Sequence, residues 1–171
     1  MTIETLLKVL PPPAEPFETF DGPWEPIEAA LGVVVPQDYK DFVRIFGNGS
    51  FLDFLMVLIP RSRSYNLWIV PSVRRAREMF RGLDDVPYTL WPHPQGLILC
   101  GGTDDGDSLF WLPRPAPEPW SIVVWDRGFG EFETFECDLT DFLAGLVTGE
   151  ILPKQFPDGL LPCEPLFAPL K

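Results

Sequence analysis

The residues that could carry chemistry are few. One histidine, His93, is held between Pro92 and Pro94, and no serine or cysteine sits in an elbow that would make it the base of a nucleophilic triad. Gly101 to Gly106 has the glycine spacing of a phosphate loop and follows an apolar run, but Asp107 stands where such a loop needs its lysine, and an acid there repels phosphate. Asp104, Asp105 and Asp107 suggest a calcium loop. With Gly106 at the sixth loop position, however, Leu112 falls where the bidentate glutamate belongs, so a charged hairpin loop is the expected reading. Cys100, Cys137 and Cys163 are odd in number and lack a CxxC pair, which predicts reduced thiols and neither a disulfide framework nor a metal site. Paired carboxylates are plentiful among 25 acids, yet no spacing singles out a glycosidase pair. The expectation is therefore a protein that is not an enzyme and uses no cofactor or metal.

Composition narrows the partners. The chain has 171 residues, 46% of them hydrophobic, with 13 Lys and Arg against 25 Asp and Glu, a net charge of −12. That length and apolar content support one domain that buries its own core. The negative charge disfavours nucleic acid and anionic membrane, which are bound by clustered cations, and favours a basic protein. No apolar run approaches the ~20 residues that span a bilayer. Glu4 stands where a secretory signal wants basic residues, so a cytoplasmic location is expected. Charge is unevenly spread: residues 82–171 hold 4 cations against 15 acids, residues 61–81 hold 6 cations against 1 acid. This basic island, Ser72 to Leu83, places Val73, Ala76, Phe80 and Leu83 on one helical face and Arg74, Arg77 and Arg81 on another. It is expected to be an amphipathic helix with a solvated arginine face.

Ile3, Leu6, Leu7 and Leu10 have helical spacing, and Pro11 to Pro13 must stop that helix. Trp24, Ile27 and Leu31 predict a second helix closed by Gly32. Pro36 to Gly49 predicts a third, with Asp38 and Asp41 early, Tyr39, Phe42, Val43 and Phe46 on one face, and Gly47-Asn48-Gly49 ending it through positive φ. Short apolar runs then predict strands at Leu55 to Ile59, Leu67 to Val70, Leu97 to Cys100, Ser108 to Leu112, Ser121 to Trp125 and Glu131 to Phe135. The last four are joined by connections too short for parallel crossovers, so they form an antiparallel meander. Asp138 caps a closing helix that runs to Gly149. The sum is an α+β domain with an antiparallel sheet of about six strands flanked by helices. Its organisation is a leader helix and proline linker over 1–23, the domain over 24–150, and a proline-rich extended tail over 151–171. Prolines at 153, 157, 162, 165 and 169 forbid a helix or a central strand in that tail. It is expected to pack on its own domain, with a free partner-binding arm as the alternative.

Several ordered motifs resemble the SUKH superfamily, named for yeast cell-wall-assembly and killer-toxin-resistance proteins. They are Trp24-x-x-Ile27-Glu28, Leu31-Gly32, Pro36-x-Asp38-Tyr39-Lys40-x-Phe42 and Asn48-Gly49, followed by Leu97 to Trp111, Trp120 to Trp125 and Thr134 to Leu146. The resemblance implies a non-enzymatic α+β domain with a curved sheet, used in bacteria mainly as an immunity protein that silences a cognate toxin, often a nuclease. The alternative it leaves open is an intracellular scaffold or regulatory module in a cell-envelope or signalling pathway. A basic toxin would be steered by acids on the sheet side, chiefly Asp104, Asp105, Asp107, Glu131 and Glu133, and anchored by exposed aromatics such as Trp111 and Trp125.

Overall fold

The computed structural model describes residues 3–116 and 118–170. Three helices come first: α1 (Glu4–Val9), α2 (Glu25–Leu31) and α3 (Gln37–Ile45). Strands β1 (Gly49–Phe51) and β2 (Leu55–Val57) follow, then a 3-10 turn (Tyr65–Leu67) and α4 (Ile69–Phe80). A meander of β3 (Ile98–Thr103), β4 (Ser108–Leu112), β5 (Ser121–Trp125) and β6 (Phe132–Phe135) leads into α5 (Leu139–Thr148) and finally β7 (Phe167–Pro169). The strands form one open antiparallel sheet in the order β6-β5-β4-β3-β2-β1-β7. The architecture is α+β, with seven strands where about six were expected.

Two departures from the sequence reading have plain causes. Leu67 to Val70, expected as a strand, is instead the end of the 3-10 turn and the start of α4. Pro71 falls in the first turn of α4, where its missing N–H would have had no partner anyway. Gly47, at φ 67°, takes the left-handed position that ends α3, and Gly49 does not: it lies in β1. Gly49 is required for closeness, because an added Cβ would overlap the Phe167 ring of β7 and sit 2.7 Å from the Ala168 carbonyl. Asn48 lies in the bend between α3 and β1, without a positive φ. Its Nδ2 donates to Glu18 Oε2 at 2.8 Å, and Glu18 also accepts from Ser62 Oγ at 2.7 Å and from the Arg63 N–H at 2.7 Å, which fastens the leader to the body.

The sheet is buried on both faces. One carries Phe51, Leu55, Val57, Ile98, Leu109, Trp111, Ile122 and Val124 against a helical layer in which α5 contacts α1 and α3. Tyr39 of α3 packs edge-on against Trp111 at 4.8 Å, and its hydroxyl donates to the Leu58 carbonyl at 2.8 Å. The opposite face carries Leu97, Phe110, Val123 and Trp125 under α4, whose Phe80 meets Phe110 at 5.0 Å and Trp125 at 4.7 Å. The arginines of α4 face outward as its spacing requires. Leu83, expected on the buried face, lies beyond the last helical residue and is exposed. The C-terminal segment packs on the domain through Phe156, which meets Phe54 at 5.1 Å, and through β7. β7 is an edge strand, the position where Pro169 interrupts no ladder.

The N-termini of α3 and α5 meet through Asp38, whose Oδ2 accepts from the Thr140 N–H at 3.2 Å. Burial, followed by repulsion from Asp138, pushes the Asp38 carboxyl up to about 6. Asp138 is raised in the same direction, chiefly by burial. A folded-state pKa above the unfolded value means that the protonated form is favoured on folding, so this contribution is present at low pH and lost as pH rises through about 6. Denaturant midpoints should therefore increase from pH 7 to about pH 5, and Asp38→Asn should flatten that increase. An unchanged slope in the variant would show that Asp38 is not its source. Separately, Gly49→Ala should cost about 1–3 kcal/mol by overpacking. In a Phe167→Ala background the same substitution should cost less, which equilibrium unfolding of the double-mutant cycle measures.

Candidate partner-binding site

The acids expected to face a partner are collected by two hairpins at one end of the sheet. In the β3–β4 connection, Thr103 Oγ1 donates to Asp107 Oδ2 at 3.0 Å and accepts from the Asp107 N–H at 3.1 Å. Asp107 Oδ1 accepts from the Arg127 N–H at 3.0 Å, tying this hairpin to the next. Asp107 is thus buried and structural, which corrects its assignment as a contact residue. Asp104 and Asp105, at the tip, stay exposed.

The β5–β6 turn is organised by Asp126, whose carboxylate accepts from the Gly128 and Phe129 N–H groups, each at 2.8 Å. Phe129, in this turn, is 77% exposed. Glu131 is exposed beside it. Glu133 is half-buried and accepts from the Lys154 N–H of the C-terminal segment at 2.9 Å, so part of its capacity is used within the chain. A shallow depression of about 370 Å³ between the hairpins is bordered by Asp105, Asp107, Asp126, Arg127, Gly128 and Gln155.

The aromatic anchors expected from the sequence are elsewhere. Trp111 is 1% exposed beneath the helical layer and Trp125 is 8% exposed beneath Phe80, so neither can insert into a partner. Their strands are covered on both faces, and alternation cannot then mark an outward side. Phe129 is the exposed aromatic at this end. Its signal in the sequence is the run Arg127-Gly128-Phe129-Gly130, where a large apolar side chain between glycines in a turn has no strand or helix face to bury against.

The other reactive groups are locally engaged. His93 is exposed, its Nδ1 accepting from the Gln95 N–H at 3.1 Å. The three cysteines are free; burial raises the Cys100 thiol well above its usual range and pushes Cys137 up to about 12, with neighbouring acids adding to the second. Among the described residues no group of three or more His, Cys, Asp or Glu could hold a metal ion, and no helix is long and apolar enough to cross a membrane.

These features define a class: an open antiparallel α+β domain with helices packed on both faces of its sheet. Residues 21–143 match the SMI1-KNR4 cell-wall family, SUKH_6, and the chain belongs to it. No curated protein and no solved structure matched.

The different burial of the aromatics sets an expectation for stability. Phe129→Ala should change unfolding free energy by no more than about 0.5 kcal/mol, whereas Trp111→Ala should cost about 3–5 kcal/mol. Chemical denaturation of both variants checks this, and comparable losses would contradict the exposed placement of Phe129.

Proposed function

We propose that the protein is a non-enzymatic binding domain that acts in the cytoplasm as an immunity protein, docking on and neutralising a basic toxin domain. Family membership supports an interaction role; the toxin and its chemistry are this proposal's own step. The observation that carries it is the juxtaposition of three exposed acids, Asp104, Asp105 and Glu131, with the exposed Phe129 on two turns braced by Asp107 and Asp126. Complementary charge accelerates encounter, and a rigidly presented aromatic supplies the desolvated contact that slows release. A nuclease suits this surface best, because a cleft built for phosphate is cationic and an acidic face can occupy it.

The test is whether a toxin-like reading frame lies beside this protein's gene and, with the basic domain it encodes, association kinetics. The association rate should fall with rising salt, and Asp104→Lys with Asp105→Lys and Glu131→Lys should lower it by about tenfold or more at low ionic strength. Phe129→Ala should instead raise the dissociation rate. A salt-independent rate unaffected by the triple reversal would remove the steering role. Substrate turnover by the purified protein, abolished by replacing one acid, would replace the binding role with an enzymatic one.

A further inference from the structure

The helical layer over the second face of the sheet is incomplete. Helix α4 covers Leu97, Phe110, Val123 and Trp125, but beside it the face opens into a groove of about 450 Å³. Register places Met56 of β2 opposite Gly102 of β3, and Leu99 opposite Phe110, on this same face. Met56 and Leu99 are only half-buried. The wall of the groove is a second stripe of α4: Ser72, Arg75, Ala76 and Met79 stand at i, i+3, i+4 and i+7, adjoining the stripe that packs on the sheet. Met79 is 49% exposed, and Tyr65, in the 3-10 turn before α4, is 61% exposed. Arg75 is held in place without a counter-ion. Its Nη2 donates to Ser72 Oγ at 2.8 Å, and its guanidinium lies 5.0 Å from the centre of the Tyr65 ring. Arg77 and Arg81 pair with Glu78, whereas no carboxylate among the described residues pairs with Arg75. The acid at the lining, Asp107, is buried and accepts from Thr103 Oγ1 and the Arg127 N–H. Methionines and a tyrosine around a positioned arginine have the composition of an interface core.

We propose that this groove docks a helix of a partner protein, apolar on one face and acidic along the edge of that face. Charge complementarity sets the acidic edge: residues 61–81 hold 6 cations against 1 acid in a chain of net charge −12, and Arg75 presents a guanidinium fork that a carboxylate can meet bidentately. The sheet sets the helical form. Strands β2 and β3 lie inside the order β6-β5-β4-β3-β2-β1-β7, so neither has a free edge to which an extended peptide could add. A helix satisfies its own backbone and needs from the groove only apolar contact and the ion pair. Lying beside α4, it would complete on this face the helical cover that α1, α3 and α5 provide on the other. The groove uses none of Asp104, Asp105, Phe129 and Glu131, so the inference does not rest on the toxin-binding reading.

Titration of the full chain, labelled at its methionine methyl groups, tests the assignment, because Met56 and Met79 both border the groove. The probe is an alanine-based peptide of roughly 16 residues, long enough to be helical in water, with leucines at i, i+3, i+4 and i+7 and glutamates flanking them. It should shift both methyl signals with a Kd below about 1 mM. The same peptide with lysines in place of the glutamates should bind at least about tenfold more weakly. Arg75→Glu alters an exposed side chain and leaves the core intact; it should reverse the preference between the two peptides. Proline at two interior positions of the acidic peptide should remove its binding. No methyl shift at millimolar acidic peptide overturns the proposal, as does equal binding of the two peptides or an unchanged preference in Arg75→Glu. Hexanoate binding as tightly as the acidic peptide would make the groove a small-molecule pocket, and methyl shifts on concentrating the protein alone would make it a contact between copies; either result also overturns the partner helix.

Discussion

Burial of the central strands on both faces is the constraint from which the rest of this structure follows. In β5 every residue from Ser121 to Trp125 is buried, and β4 is buried from Ser108 to Trp111. A sheet with one wet face would alternate apolar and polar residues; this one cannot, so it must be clamped between layers. Helices α1, α3 and α5 supply one layer, and α4 supplies the other almost alone. Phe80 is the centre of that second layer, touching Phe110, Trp125 and Phe132. Without α4, a run of large aromatics on β4, β5 and β6 would face water.

Sandwiching the sheet determines where charge can go. Neither face has room for solvated acids, so they are driven to the strand ends and connections: Asp104, Asp105 and Glu131 at one end, Glu118 and the partly enclosed Asp38 and Asp138 at the other. The arginines of α4 occupy the outside of the covering helix, where Arg77 and Arg81 pair with Glu78 at 3.0 and 3.5 Å. The basic island of the sequence is therefore the solvated side of a structural lid. The edges are dealt with differently. At one, β7 carries a proline; at the other, β6 is short and mixes Glu133 and Thr134 between its phenylalanines, which discourages pairing with a second sheet.

Elements set by local rules could be read from the residues alone. β4 and β5 have the bounds that their turn residues imply, and Asp138 caps α5 by accepting from the Asp141 N–H, three residues on. Elements set by their neighbours could not. β1 and β7 are three residues each, too short for a period, and exist because they pair with one another across more than a hundred residues of chain. Leu67 to Val70 is apolar and β-rich, and its helical state depends on Ser72, Val73 and Ala76 finding the sheet below. The acidic end of the sheet was legible as a cluster of charges in two turns, but not which acids are free: Asp107 and Glu133 are spent on N–H groups of Arg127 and Lys154, contacts that only the folded chain creates. Trp111 and Trp125 were misplaced for the same reason that their strands were easy to find, since an uninterrupted apolar run announces a strand and hides its orientation.

Asp38 and Asp138 show the two kinds of information at odds. Each is well placed by local rules, Asp38 in the first turn of α3 and Asp138 as the cap of α5, where the dipole and free N–H groups favour negative charge. The fold then brings those two helix ends together, so that Thr140 bonds both carboxylates and Asp138 adds its repulsion to the burial that raises Asp38. A pair of asparagines would satisfy the same N–H groups with less electrostatic cost. The pair therefore ties the stability of this end of the sheet to pH, which two asparagines would not do.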